Sequence, residues 1–180
     1  MRIIAGQYKG RKLITAKGEW LRPTSDRNRE FIFSYLGPLV HDAQVLDLFA
    51  GTGGLGIEAL SRGARSAAFV DHSIQAVELI RKNLVWVVQP TQVFRMEARI
   101  FLQKTATPVD LLFADPPYRF DAFDEIMRLI FDRRLLTEKG LLIYESGSRN
   151  PLPLVSGFYE KKQKRLGDTR VLFYGIRYED

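Results

Sequence analysis

The 180-residue sequence contains no cysteine. Disulfides, thiolate metal sites and cysteine nucleophiles are therefore excluded, and the composition fits a reducing compartment. Two histidines, His41 and His72, are too few for a histidine-rich metal centre. No run of about 18 apolar residues would span a bilayer. The opening Met1-Arg2-Ile3-Ile4-Ala5-Gly6 also lacks the apolar stretch of a secretory signal. The expectation is a soluble, cytoplasmic, monomeric protein with no metal and no membrane partner.

What is present is a 46% hydrophobic composition, enough to bury one core. The chain is expected to be one domain, with residues 1–40 as a basic hairpin-and-helix extension and 41–180 as the main body. Its net charge of +6 is unevenly placed. Met1 to Leu36 carries eight Lys/Arg against three acids, leaving nineteen against eighteen for the rest. That excess, interleaved with Tyr8 and Trp20, marks an electrostatic footprint for nucleic acid. Tyr8, Lys9, Arg11, Lys12, Arg22, Thr24 and Arg27 are its candidate residues. A merely solvated basic hairpin is the competing explanation.

The first segment, RIIAGQYKGRKLIT, alternates around Gly6 and Gly10 and predicts a hairpin. A helix follows, capped by Ser25 or Asp26, with Phe31, Ile32, Tyr35 and Leu36 at helical spacing, and Gly37-Pro38 ends it. From Val45 the pattern becomes short apolar strands (Val45–Phe49, Ala67–Val70, Thr91–Arg95, Val109–Ala114, Leu141–Glu145) alternating with helices that begin near Gly54, Ser73, Ala98 and Phe120. This rhythm predicts an α/β fold, a mostly parallel sheet covered on both faces. Gly157–Arg165 and Val171–Tyr178, joined by Gly167-Asp168, predict an antiparallel hairpin at the sheet edge.

Two motifs carry chemistry. Gly51, Gly53 and Gly56 satisfy G-x-G-x-x-G after a strand, and Asp71 ends the next strand 20 positions after Gly51. Glycines there allow close backbone approach to a ligand, and the carboxylate accepts from ribose hydroxyls. The pattern serves either NAD or S-adenosylmethionine. The second motif, Asp115-Pro116-Pro117-Tyr118, follows an apolar strand and is delivered to the same sheet edge. The prolines fix φ and remove two backbone donors. The Asp115 carboxylate and Pro116 carbonyl can then hold both hydrogens of a nucleobase amine and aim its lone pair at a sulfonium methyl. Tyr118 offers a stacking face for an extruded base. NAD leaves this motif unexplained, so the sulfonium cofactor is favoured.

On these residues the chain resembles Rossmann-like class I methyltransferases, and more narrowly the bacterial 16S ribosomal RNA (guanine-N2) methyltransferase D family. The resemblance runs through Met1–Gly6, Tyr8-Lys9-Gly10-Arg11, Arg22-Pro23-Thr24-Ser25-Asp26-Arg27, Asp47–Ala59, Asp115–Tyr118, Tyr144-Glu145 and Gly167-Asp168-Thr169. It implies methylation of guanine N2 in 16S rRNA, within an assembled or assembling small subunit. It also implies a cofactor set of Asp47, Phe49, Ala50, Gly51, Thr52, Gly53, Asp71, His72, Ser73, Glu97, Ala98 and Asp115, and a catalytic set of Asp115, Pro116, Pro117 and Tyr118. The chain departs from the family pattern at Asp71, where glutamate is usual, and at Glu97-Ala98, where aspartate precedes alanine. Both changes keep the charge and alter the reach by one carbon. Two other functions compete: adenine-N6 methylation of DNA or tRNA, and a non-catalytic RNA-binding assembly factor. Sequence-specific DNA enzymes usually carry a sizeable recognition domain, and the roughly 60 residues between the motifs are already filled by predicted elements.

Overall fold

A computed structural model describes residues 1–15, 25–117, 123–149 and 155–178. Seven strands form one sheet in the order β3-β2-β1-β4-β5-β7-β6. β1 (Gln44–Leu48), β2 (Ser66–Asp71), β3 (Thr91–Arg95), β4 (Val109–Ala114) and β5 (Leu136–Gly147) run parallel. β7 (Thr169–Ile176) pairs antiparallel with both β5 and the edge strand β6 (Phe158–Leu166). The expected strand-helix rhythm and terminal hairpin are therefore present.

The central parallel strands β1 and β4 are buried on both faces, so helices must cover both. α1 (Asp26–Leu36), α2 (Gly54–Ser61) and α3 (Ile74–Leu84) cover one face, where Phe33, Ile57, Phe69, Ile80 and Phe113 pack together. α4 (Ala98–Lys104) and α5 (Phe123–Asp132) cover the other, with Leu112, Ile126, Ile130 and Leu142. Ser25 caps α1 by accepting from the Asn28 amide, and Gly37 at φ 49° ends it, leading into a 3-10 turn over Gly37–Val40.

Several expected boundaries shift, those of β2, β6 and β7 by one or two residues, and two shifts have a clear local cause. β5 begins five residues before the predicted Leu141. Its first half, Thr137-Glu138-Lys139, is polar and pairs with β4 only at Val109↔Leu136, before a register shift. The apolar pattern that signals a buried strand is absent there. β1 ends at Leu48, because Phe49 turns into the left-handed region at φ 59°.

The first hairpin closes through an Arg2↔Lys12 bridge, with the Ile3 amide donating to the Arg11 carbonyl at 2.9 Å. It docks on α2. The Ile4 and Ala5 amides donate to the Glu58 carboxylate (2.8 and 3.1 Å), and the Gln7 amide donates to the Ser61 carbonyl at 2.8 Å. Gly6, at φ 84°, lies so close that a Cβ would meet the Ser61 carbonyl oxygen at 1.8 Å.

Candidate active site

The strand order reverses at β1, whose neighbours β2 and β4 begin the two halves of the sheet. Ligands of open α/β sheets bind in the crevice beyond the strand ends at such a point. Leu48 and Ala114 are register partners, so the glycine loop after β1 and Asp115-Pro116-Pro117 after β4 emerge side by side. Asp115 and Pro116 are half-buried and Pro117 is exposed, as befits the rim of a crevice. Tyr118 lies outside the described residues, as do Arg22 and Thr24.

Internal hydrogen bonds hold the loop. The Ala50 amide donates to the Val70 carbonyl (3.1 Å) and the Gly53 amide to the Ala50 carbonyl (2.7 Å). Gly51 donates to Asp71 Oδ2 at 2.9 Å. The buried Thr52 offers its carbonyl to Asn83 Nδ2 at 3.0 Å. Gly51 (φ 55°) and Gly53 (φ 78°) take the left-handed conformations this path requires. Gly56 serves helix-strand packing instead, since a Cβ there would lie 2.3 Å from the Phe69 ring.

These bonds decide what the loop can hold. A pyrophosphate needs unengaged amides at the N-terminus of the following helix. Here the Gly51 and Gly53 amides are taken, and the Gly56 amide in the first turn of α2 donates to Asp47 Oδ2 at 2.9 Å. A carboxyl oxygen thus takes one amide of that first turn. Burial holds the Asp47 carboxyl well above the ordinary carboxylate range; the Gly56 amide opposes this, and Asp115 and Asp71 push it further up. Asp71 and Asp115 stand close enough to push Asp47 up, and two such acids at one crevice disfavour an anionic ligand and suit a cationic one such as a sulfonium. Among the described residues no cluster of His, Cys, Asp or Glu could hold a metal.

Asp71 is buried, and its second oxygen accepts from the Ser73 amide at 2.9 Å. Each carboxylate oxygen keeps a further lone pair, so the group can also accept from a ribose. Ser73 itself caps α3 through its hydroxyl, and His72 is exposed with Nδ1 3.7 Å from Asp71. Glu97 stands at the N-cap of α4, its Oε1 3.0 Å from Arg99 Nε, and Arg99 also reaches Glu125 at 3.1 Å. Ala98 is buried behind it. Tyr144, register partner of Ala114, stacks on Phe123 at 3.7 Å. Burial first, then Asp115 and Asp124, push its phenol up to about 12, so it stays neutral beside the crevice.

On the arm, Lys9, Arg11, Lys12 and Arg27 are exposed. Tyr8 is a correction: its ring is 8% exposed and packs edge-on against Trp86. Its hydroxyl donates to Gln89 Oε1 (2.7 Å) and accepts from the Val88 amide (3.0 Å). Its aromatic surface fills the seam between the arm and the segment joining α3 to β3, leaving none for a base.

The sequence reading missed several buried polar residues around the site. Arg29, fully buried, donates to the Arg2 carbonyl (2.8 Å) and to Asp26 (2.7 Å), with Glu58 3.7 Å away. Asn28 Nδ2 donates to Glu145 at 3.0 Å. Asn83 exchanges two hydrogen bonds with Ile14 besides holding Thr52. A signal existed for Glu58, a lone acid in the apolar run Leu55–Leu60.

Sheet order, loop and crevice define a Rossmann-like methyltransferase of the S-adenosylmethionine-dependent class. The family described as "Conserved hypothetical protein 95" matches residues 1–175, and the chain belongs to it. Ribosomal RNA small subunit methyltransferase D of Escherichia coli is 40% identical over 156 residues, 86% of this chain and 79% of that protein. A solved Escherichia coli chain, yhhF, superposes with a TM-score of 0.90 at 37% identity, covering 99% of each chain. The same fold recurs at 14% identity and a TM-score of 0.65 in SMU.776, solved in complex with SAH, over 79% of this chain and 48% of that one.

Proposed function

We propose that the chain transfers a methyl group from S-adenosylmethionine to the exocyclic N2 amine of a guanine in 16S rRNA. The substrate is the assembled or assembling small subunit, and the enzyme acts as a cytoplasmic monomer. Residues 1–40 serve as the basic extension of a single methyltransferase domain whose core is 41–180. The observation that carries the reading is the emergence of Asp115-Pro116-Pro117 beside a glycine loop whose Gly51 and Gly56 amides are held by the acids Asp71 and Asp47.

Bound S-adenosylmethionine supplies an electrophilic sulfonium methyl. The backbone of Phe49 to Gly53 lines the cofactor, Asp71 accepts from its ribose, and Glu97 with Ala98 borders its adenine. Asp115 and the Pro116 carbonyl accept the two amine hydrogens of the target. This orients the lone pair and stabilises positive charge as it develops on nitrogen. Pro117 stiffens the turn, and Tyr118 stacks on the base. Lys9, Arg11, Lys12 and Arg27 contact phosphates, with Arg22 and Thr24 closing over cofactor or RNA.

The test incubates the protein and labelled S-adenosylmethionine with small subunits from cells lacking it, alongside tRNA and DNA, and analyses the nucleosides. N2-methylguanosine in small-subunit RNA is the expected product. Label in adenine or DNA would overturn the substrate while keeping the amine chemistry, and bound cofactor with no label in any nucleic acid would favour an assembly factor.

A further inference from the structure

Outside the first 36 residues the charge nearly cancels, but the cancellation hides a local cluster: β6 reads Phe-Tyr-Glu-Lys-Lys-Gln-Lys-Arg-Leu. In a regular strand these residues would alternate between the faces. A bulge between Glu160 and Lys162 breaks the alternation. Before it, Tyr159 is the partner of Gly175 and Glu160 of Tyr174; after it, Lys162 pairs with Phe173 and Lys164 with Val171.

Phe173 and Val171 point to the α1 face, where Phe173 meets the Phe31 and Tyr35 rings at 5.9 and 4.2 Å. Register partners share a face, so Lys162 and Lys164 point there too. The extra residue, Lys161, joins them: its Nζ is 5.8 Å from the Tyr159 ring, and its chain lies over Gly175, 2.9 Å from where a Cβ would be. Glu160 is sent to the opposite face with Tyr174. Three exposed lysines are thus gathered on one side and the strand's one acid removed to the other.

Lys164 Nζ sits 5.9 Å from the Phe31 ring, within cation–π range. Phe31 is one helical turn from exposed Arg27, so helix and strand continue one basic surface. Of the nearby acids on α1, Asp26 is bound to Arg29 and Glu30 is exposed. β6 runs in the same direction as β5, so Lys164 and Leu166 lie toward the sheet end that bears Asp115. Three strand spacings separate β6 from β4, about 14 Å. That is the length of about four stacked nucleotides.

We infer that Lys161, Lys162 and Lys164 on the α1 face of β6, continued by Arg27, form a second phosphate-binding track for the RNA substrate, separate from the N-terminal arm. The inference rests on the RNA reading above. Lysines on an edge strand also block edge-to-edge pairing. That role does not require the bulge to collect them on one face, nor a seat over Phe31.

The experiment compares wild type, the triple variant K161Q/K162Q/K164Q and the charge-conserving K161R/K162R/K164R. Small subunits from cells lacking the protein are the probe, across a salt series, with cofactor affinity and circular dichroism as folding controls. The glutamine variant is expected to lose about two units from the slope of log K against log salt. Its KM for the subunit rises, cofactor affinity is unchanged, and the arginine variant restores slope and KM. Unchanged slope and KM in the glutamine variant would overturn the track, as would new self-association with RNA binding intact, which would assign the lysines to edge protection. No binding by wild type would overturn it also. A reduced slope without N2-methylguanosine as product would instead sink the reaction assignment and leave the track standing.

Discussion

Asp115 and Asp47 are both acids of one crevice, yet their surroundings give them different tasks. Asp115 is half-buried just after β4, and the proposed reaction has it accept from the substrate amine. Asp115→Ala is expected to retain the fold while methyl transfer at saturating cofactor falls about 10²- to 10³-fold, the scale of losing one aligned polar group in a reacting site. Single-turnover transfer beside a cofactor titration checks this; wild-type turnover would remove Asp115 from the chemistry. Asp47 is 3% exposed and holds the first turn of α2 through Gly56. Its folded pKa is raised, chiefly by burial. The folded state therefore holds the proton that the unfolded chain releases near pH 4. Stability present below that value is lost as pH rises through the folded one. Asp47→Asn keeps an oxygen for the Gly56 amide and removes the titration. Thermal unfolding from about pH 5 to about pH 8 is expected to show wild-type Tm falling relative to the variant, and parallel curves would contradict the assignment.

At the scale of elements, the arm is held to α2 by fit as much as by charge. Gly6 and Gly10 have nearly the same φ, 84° and 85°, but a Cβ on Gly6 would collide with the Ser61 carbonyl while one on Gly10 meets nothing within 4 Å. Gly10→Ala is expected to cost about 1 kcal/mol for the left-handed backbone. Gly6→Ala should cost a further 1–3 kcal/mol, roughly, from the collision, visible as a Tm lower by several degrees than that of Gly10→Ala. Equal Tm values would mean the arm is not docked through this contact. The same scale shows what was legible. Buried parallel strands announce themselves as apolar runs, so β4 was read to the residue; β3, a half-buried edge strand, was read to the residue from its Val93-Phe94 pair and its place in the strand-helix rhythm. The inner face of α1 was read as Phe31, Ile32, Tyr35 and Leu36, whereas Asn28, Arg29, Ile32, Phe33 and Leu36 are buried. Periodicity cannot seat an arginine in a core, because its partners, Glu58 and the Arg2 carbonyl, come from other elements. The path of the glycine loop was legible because local backbone chemistry fixes it. The supports at Asn28, Glu58 and Asn83 were not, because each is defined by a residue more than 30 positions away.

Across the whole molecule, the two basic surfaces lie toward opposite edges of the sheet. The arm sits on α2 with Lys9, Arg11 and Lys12 exposed, Arg11 lying over Trp86 at 4.9 Å, and Tyr8 pinned beneath. β6 lies at one end of the sheet, past β4, β5 and β7. If both surfaces hold the proposed RNA substrate, phosphates fix its register from two sides while the base carries the chemistry. Neutralising Lys9, Arg11 and Lys12 together should weaken binding to the small subunit and reduce the salt slope by about two units. The surfaces share no residues, so combining that variant with the β6 triple should add the two losses to within about 0.5 kcal/mol. If the arm variant keeps the wild-type slope, the N-terminal charge is not an RNA contact. A combined loss no larger than either single loss would show instead that the RNA engages one flank at a time.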